Sequence, residues 1–447
     1  MKYPLLVLSV LLSTGIVLAY NLEPVFFVYY FCSGVSLLIC LLVLNKEKIF
    51  KIFLCFLIIF LGAAHFSNSL RKPFTRLGPD TIIEGVVLEP FLSKEESKNI
   101  LIYTSNLALI WAQIKPKMKI SSGEKIVLQG VFKNYPKKGK TQLYFQADTV
   151  RLLGKGKIPL LWQIKRKFYL MRESYAQIFQ NNLSGFSSAV AEAMVLGNKR
   201  ALPPGLLEAM KTCGTVHILV VSGFNVGIVA AVAVFLLKII SFPRKLRIIP
   251  LGLTLIFYCL ITGATVPVVR ATIMALFFLV AYLFARQPDI LQSLAFALLI
   301  VLIFDPQAFF DLGLQLSFAS VLAIVLIYPR LEKLSRLPEI KSRILSNLIS
   351  GGFVSLSAWL GTVVLTFYYF GTISFIAVIA NILIVPLAAF LTLCAFALLL
   401  SNYICPNSGF IFSGTIELSS MILARLSYFF AKFPEAYFQF HHKNFIN

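Results

Sequence analysis

Hydrophobic positions divide this chain into two kinds of text. Long, uninterrupted apolar runs occupy 4–20, 25–44 and 52–69, and return at 214–240, 248–263, 268–285, 289–304, 314–328, 347–369, 373–400 and 409–432. Runs of this length are what a helix needs to cross the hydrocarbon layer, so the pattern predicts about eleven spans. Pro386 falls inside 373–400 and leaves open whether that run is one span or a re-entrant half followed by a span.

Between the two apolar blocks the period changes. Short alternating or β-rich runs follow one another at 81–90, 99–105, 107–113, 125–132 and 142–153. Turn signals separate them, notably Ser121-Ser122-Gly123 and Asn134-Tyr135-Pro136-Lys137-Lys138-Gly139. Five short strands predict a small OB-like β-barrel, of the oligonucleotide/oligosaccharide-binding kind. A fragment of a β-sandwich has the same strand count and stays open. From Pro159 the period becomes helical, and Trp162-Gln163-Ile164-Lys165-Arg166-Lys167-Phe168 opens an amphipathic segment suited to a membrane surface. The fold class is therefore a polytopic α-helical membrane protein with an external β domain. Its expected divisions are 1–70, a three-helix membrane region; 71–158, the β domain; 159–212, a helical connector; and 213–447, a polytopic domain.

Charge orients this arrangement. The chain carries a net +22, of which 71–212 contributes 23 Lys/Arg against 10 Asp/Glu, a net of +13. Basic loops at 45–51, 241–247 and 328–343 fall on one side when spans alternate, which makes that side cytoplasmic. The region 71–212 and the C-terminus are then external to the cytoplasmic membrane. The first apolar run lacks a clear small-x-small cleavage site and a second run follows at once, so it is expected to be retained.

Composition also narrows the chemistry. None of the seven cysteines forms a C-x-x-C pair and there are only four histidines, so no metal site and no cofactor is expected. Neither G-x-x-x-x-G-K-[ST] nor G-x-S-x-G occurs. A His217–Ser222 nucleophile pair would lack an orienting acid, so no catalytic residues are assigned and the chain is not expected to be an enzyme.

What remains is polar chemistry inside apolar text. Cys213–Gly227 places His217, Ser222, Gly223, Asn225 and Gly227 at the start of a predicted span. Polar groups at membrane depth are costly unless they face protein or a water-filled route, while glycines there also permit close helix packing. Arg270 lies just inside another span, where it either snorkels to headgroups or meets an anion. Gln315 and Ser317 enter a third, and Gln315 needs a partner across helices or along a route. In the β domain, Tyr103, Trp111, Lys137, Lys138, Lys140 and Tyr144 interleave aromatic and basic groups, as single-strand-binding barrels do. A solvated lysine-rich surface beside anionic lipid would look the same.

Three signatures in order, His217-x-x-x-x-Ser222-Gly223-x-x-x-Gly227, Val266-Pro267-x-x-Arg270-Ala271-x-x-Met274, and Asp305-Pro306 with Gly313-x-Gln315-Leu316-Ser317-Phe318, resemble the ComEC competence family. The resemblance implies an inner-membrane channel of natural transformation that passes single-stranded DNA. It implies as partners DNA, membrane lipids, a cytoplasmic ATPase, single-strand-binding proteins, an external DNA receptor and a possible separate nuclease. It makes His217, Ser222, Gly223, Asn225, Gly227, Arg270, Gln315 and Ser317 candidates for the route. The family usually has a second histidine where Asn225 stands, and Asn225 cannot titrate near neutral pH. Many members continue into a metallo-β-lactamase-like nuclease domain, and clustered His/Asp ligands for one are not expected here. A permease for a small anion or an envelope precursor, with an accessory β domain, is the alternative; a membrane anchor for assembly is a third.

Overall fold

The computed structural model describes residues 4–21, 33, 36, 47–70, 81–91, 98–104, 109–114, 123–137, 140–156, 159–243, 246–284, 289–335, 342–405, 408–433 and 438–439. The expected second span, 25–44, lies almost wholly outside this set. The chain forms two units, one holding residues 1–70 and 172–442 and the other holding 71–171.

The smaller unit is a closed barrel of five strands, β1 (Thr81–Phe91), β2 (Lys98–Thr104), β3 (Leu109–Ile114), β4 (Glu124–Lys137) and β5 (Lys140–Lys155), in the order β1-β2-β3-β5-β4. Neighbours are antiparallel except β3 and β5, which run parallel. Closure follows from alternation. Ile100 and Ile102 on β2, Ile126 and Leu128 on β4, and Phe145 and Ala147 on β5 point inward and are buried, with Ile83 and Val87 from β1. The register slips between Gln129 and Gly130, where a Cβ on Gly130 would lie 2.0 Å from the Gln146 carbonyl oxygen. Glycine at that bulge lets β4 bend tightly over β5.

The larger unit is helical. Its first pair, α1 (Pro4–Asn21) and α2 (Glu47–Leu70), packs backbone to backbone. A Cβ on Gly15 would lie 1.9 Å from the Ile59 carbonyl oxygen, and one on Gly62 would lie 2.6 Å from that of Leu12. Small residues at such a crossing maximise packing where lipid offers no hydrophobic drive.

The helix α3 (Leu160–Asn182) contains the division between the units. After it come α4 (Gly185–Ala191), a π turn (Glu192–Leu196) and α5 (Pro204–Thr212). Within the helical connector, the stretch 187–194 is buried, with Ser187, Ser188 and Glu192 each at most 2% exposed. These side chains are hydrogen-bonded inside the unit, which is how polar groups become tolerable there.

Eight apolar helices follow, α6 (Gly223–Ile239), α7 (Ile248–Ile261), α8 (Val266–Leu283), α9 (Ile290–Phe304), α10 (Leu312–Leu334), α11 (Arg343–Phe370), α12 (Ala377–Ile404) and α13 (Phe410–Ala431). Five stretches, within α8 and α10 to α13, are long and apolar enough to cross a membrane; α1, α6, α7 and α9, and the Leu54–Ser67 part of α2, are apolar but shorter. The expected span 214–240 begins at Gly223, nine residues late, because Val216–Leu219 forms a 3-10 turn and Val220 is extended. The 373–400 run resolves into one continuous helix, with Pro386 inside it. Glu417 of α13, which has no local partner in the sequence, accepts the Ser184 N–H at 3.0 Å just before α4.

Candidate functional site

The site is built around the broken start of α6. Gly214 has φ +73°, and a Cβ there would lie 2.5 Å from the Ala377 side chain at the head of α12. A left-handed turn against a neighbouring helix requires glycine on both counts. The chain then makes its 3-10 turn, extends through Val220, and enters α6 at Ser222, whose hydroxyl accepts the Phe224 N–H at 3.3 Å. His217 is exposed on the 3-10 turn and Ser222 caps the next helix, so the two sit on different elements. Gly227 lies one turn further on, where a Cβ would meet nothing within 4 Å.

Asn225 faces the other way. It is 3% exposed, and its amide donates to the Met194 carbonyl at 2.7 Å. Beside it, the Tyr258 hydroxyl from α7 donates to the Val195 carbonyl at 3.1 Å. Both bonds satisfy main-chain oxygens near the end of the π turn, which Gly197 terminates at φ +74°. At the start of the same turn lies Glu192, 1% exposed. Its carboxylate accepts from Gln180 at 2.9 Å, Ser188 at 3.1 Å and Asn198 at 2.7 Å. Three neutral donors thus hold a buried acid, and a fourth bond joins the Asn198 N–H to the Glu192 carbonyl. Sequence reasoning missed Glu192 and Tyr258. The signal for Glu192 was a lone acid in the otherwise apolar run Ala189–Leu196, which marks burial with dedicated donors.

Arg270 joins three helices. It is 6% exposed in the second turn of α8, and its Nη1 donates to the Ser317 carbonyl of α10 at 2.8 Å. Its guanidinium lies 5.6 Å from the Phe318 ring centroid. Nη2 reaches the first residue of α6: a Cβ on Gly223 would lie 3.3 Å from it. Arg270, Gly223 and Ser317 are therefore brought together, with Ser222 adjacent. Ser317 contributes its carbonyl to that contact. Gln315 belongs to a different link, donating to the Phe309 carbonyl at 3.1 Å and accepting from the Tyr369 hydroxyl of α11 at 3.1 Å.

In the barrel, Trp111 of β3 and Tyr144 of β5 are register partners, as are Lys137 and Lys140 beside the β4–β5 turn. Lys138 lies outside the described residues, and so do the side chains of Trp111, Lys137, Lys140 and Tyr144. Tyr103 is half-buried on β2. Lys125 of β4 and Glu84 of β1 form an exposed ion pair across the closing strands.

This arrangement can recognise an anion and can hold a buried segment in one conformation. It presents no nucleophile bonded to a base, and no group of three metal-ligating side chains occurs among the described residues.

The comparisons with known proteins bear on the same region. Residues 194–446 match the family model for Competence protein. The chain is 29% identical over 226 residues to ComE operon protein 3 of Bacillus subtilis, covering 51% of this chain and 28% of that protein. It is 33% identical over 144 residues to Competence protein ComA of Neisseria gonorrhoeae, covering 30% of this chain and 20% of that protein. An uncharacterized Escherichia coli protein, YcaI, is 26% identical over 233 residues, covering half of this chain and 30% of that protein. The matched segments thus span less than a third of these curated relatives. No solved structure matches the chain. With the family match running from the π turn through α13, the chain belongs to the Competence protein family.

Proposed function

We propose that this protein passes single-stranded DNA across the cytoplasmic membrane during DNA uptake. The observation that carries the reading is the union, in one chain, of a Competence-family membrane part with a closed five-stranded barrel in a region of net charge +13. In this reading the barrel is external and OB-like. It gathers a strand by releasing counterions from its phosphates and by stacking bases on Tyr103, Trp111 and Tyr144. The membrane part then provides the route, with Arg270, Gly223 and the start of α6 as its anion-recognising element. His217 and Gly227 lie near that start on exposed positions and are assigned to the lining.

No chemical step is assigned to the chain. Work is assigned to partners: a cytoplasmic ATPase and single-strand-binding proteins to pull, an external receptor to deliver, and a separate nuclease to remove the second strand. The alternative, a permease for a small anion or envelope precursor, draws on the same buried arginine, which would suit a small anion equally well. The two separate in one experiment. A strain deleted for this gene and complemented with the full chain is assayed for transformation and for entry of labelled single strand. Restored uptake supports the DNA reading. Unchanged uptake in the deletion strain, with the protein present at normal level in the parent, overturns it.

A further inference from the structure

Arg270 brings a full positive charge into an apolar helix, and no carboxylate among the described residues pairs with it. The nearby acids are engaged with backbone: Asp289, before α9, accepts the Leu291 N–H at 2.8 Å, and Asp305 and Asp311, flanking the 3-10 turn after it, accept the Gln307 N–H at 3.0 Å and the Leu314 N–H at 3.2 Å. Glu192 is held by neutral donors. The Arg270 Nε is buried and has no hydrogen-bond partner, while Nη1 is anchored on Ser317. An arginine cannot discharge by losing its proton, so burial leaves donors in need of an acceptor.

Its neighbour deepens the imbalance. Nη2 abuts the N-terminus of α6, a helix of 17 residues whose first N–H groups carry partial positive charge. Ser222 accepts the Phe224, Asn225 and Val226 N–H groups, so what meets the guanidinium at Gly223 is the positive end of the helix dipole, with no carboxylate between the two among the described residues. Gly223 is the residue that allows the approach, because a Cβ would crowd Nη2 at 3.3 Å and the Ala271 side chain at 3.2 Å. Phe318 covers a face of the guanidinium and Ser317 fixes one arm, which leaves the remaining edge for a bidentate oxyanion.

We infer that Arg270 and the N-terminus of α6 form one oxyanion seat that holds a single phosphodiester group of a DNA strand at a time. The identity of the occupant rests on the DNA-uptake reading; the seat itself rests on the unpaired arginine. A single seat grips one phosphate and releases it for the next, as a conduit for a repeating polyanion requires.

The test uses the full chain in nanodiscs of zwitterionic lipid, titrated with an oligothymidylate over a salt series, and in parallel with inorganic phosphate in thermal unfolding. Arg270→Gln removes the charge, and Arg270→Lys keeps the charge without the fork. Loss of one single-strand phosphate contact lowers the slope of log affinity against log salt by about 0.7. The expected result is that drop in Arg270→Gln with about tenfold weaker binding, and a retained slope with weaker binding in Arg270→Lys. Phosphate should raise the unfolding temperature of the parent and not of Arg270→Gln. A parent-like slope in Arg270→Gln overturns the seat and leaves the DNA reading standing. Phosphate stabilisation that depends on Arg270, without any binding of the oligonucleotide, keeps the seat and overturns the DNA reading. Loss of the difference between parent and variant in nanodiscs containing phosphatidylglycerol assigns the seat to a lipid headgroup and overturns its nucleic-acid occupant.

Discussion

The side-chain amide of Asn225 donates to the main-chain carbonyl of Met194 at 2.7 Å, inside the protein and 31 positions back along the chain. This amide ties the first turn of α6 to the π turn. Removing it leaves a buried carbonyl without a donor. Asn225→Ala should lower stability by about 1–3 kcal/mol, read as a fall in unfolding temperature of the purified full chain. Asn225→Asp should be worse, since a carboxylate facing a carbonyl repels it. An unchanged unfolding temperature for both would remove the structural role.

Glu192 offers a sharper comparison between two substitutions. Glu192→Ala removes the acceptor of Gln180, Ser188 and Asn198 and opens a cavity at a side chain that is 1% exposed. A loss of about 3–5 kcal/mol is expected. Glu192→Gln keeps both the volume and one acceptor oxygen, so its loss should be about half as large. Equal losses in the two would mean that the carboxylate's hydrogen bonds contribute little.

Two glycines of the same motif should behave oppositely. Gly214→Ala forces a side chain into a left-handed backbone and against Ala377, which should cost about 1–3 kcal/mol. Gly227 is interior to α6 with open space at its Cβ, so Gly227→Ala should raise stability by about 0.5–1 kcal/mol. Uptake measured on the same Gly227→Ala protein then tests its place on the route: more stable and less active is the outcome expected of a lining residue.

The Gln315–Tyr369 bond links α10 to α11, and its energy can be isolated by a double-mutant cycle with Gln315→Leu and Tyr369→Phe. Side-chain bonds between membrane helices couple by about 0.6 kcal/mol on average. A coupling energy indistinguishable from zero would mean that Gln315 does not fasten the two helices.

The legible parts of this fold are those governed by short-range pattern. Period-two alternation around Ile100, Ile102, Ile126 and Leu128 is enough to mark barrel strands, because one face of each strand must be apolar. Apolar length marks the helices from α8 onward. The break before Gly223 was harder to see. Ile218-Leu219-Val220-Val221 is as apolar as any helix, and only the Gly214 turn and the Ser222 cap, two small local signals, interrupt it. Partnerships were not legible at all. Arg270 meets Ser317 at 47 positions, Gln315 meets Tyr369 at 54, and Ser184 meets Glu417 at 233. Such distances are set by helix packing, which no window along the chain encodes. Arg270 could be chosen as a candidate from its cost in lipid, but its neighbour at Gly223 could not.

The helices α6, α7 and α9 have 17, 14 and 15 residues. At 1.5 Å per residue they are roughly 21–26 Å long, against a hydrocarbon thickness of about 30 Å. Were all three to cross a bilayer, it would have to thin beside them, or flanking residues or water would have to reach in to meet their ends. Either response would shorten the insulating layer around the three helices, so that a charged polymer crossing beside them would leave water for a shorter distance than the membrane's full width.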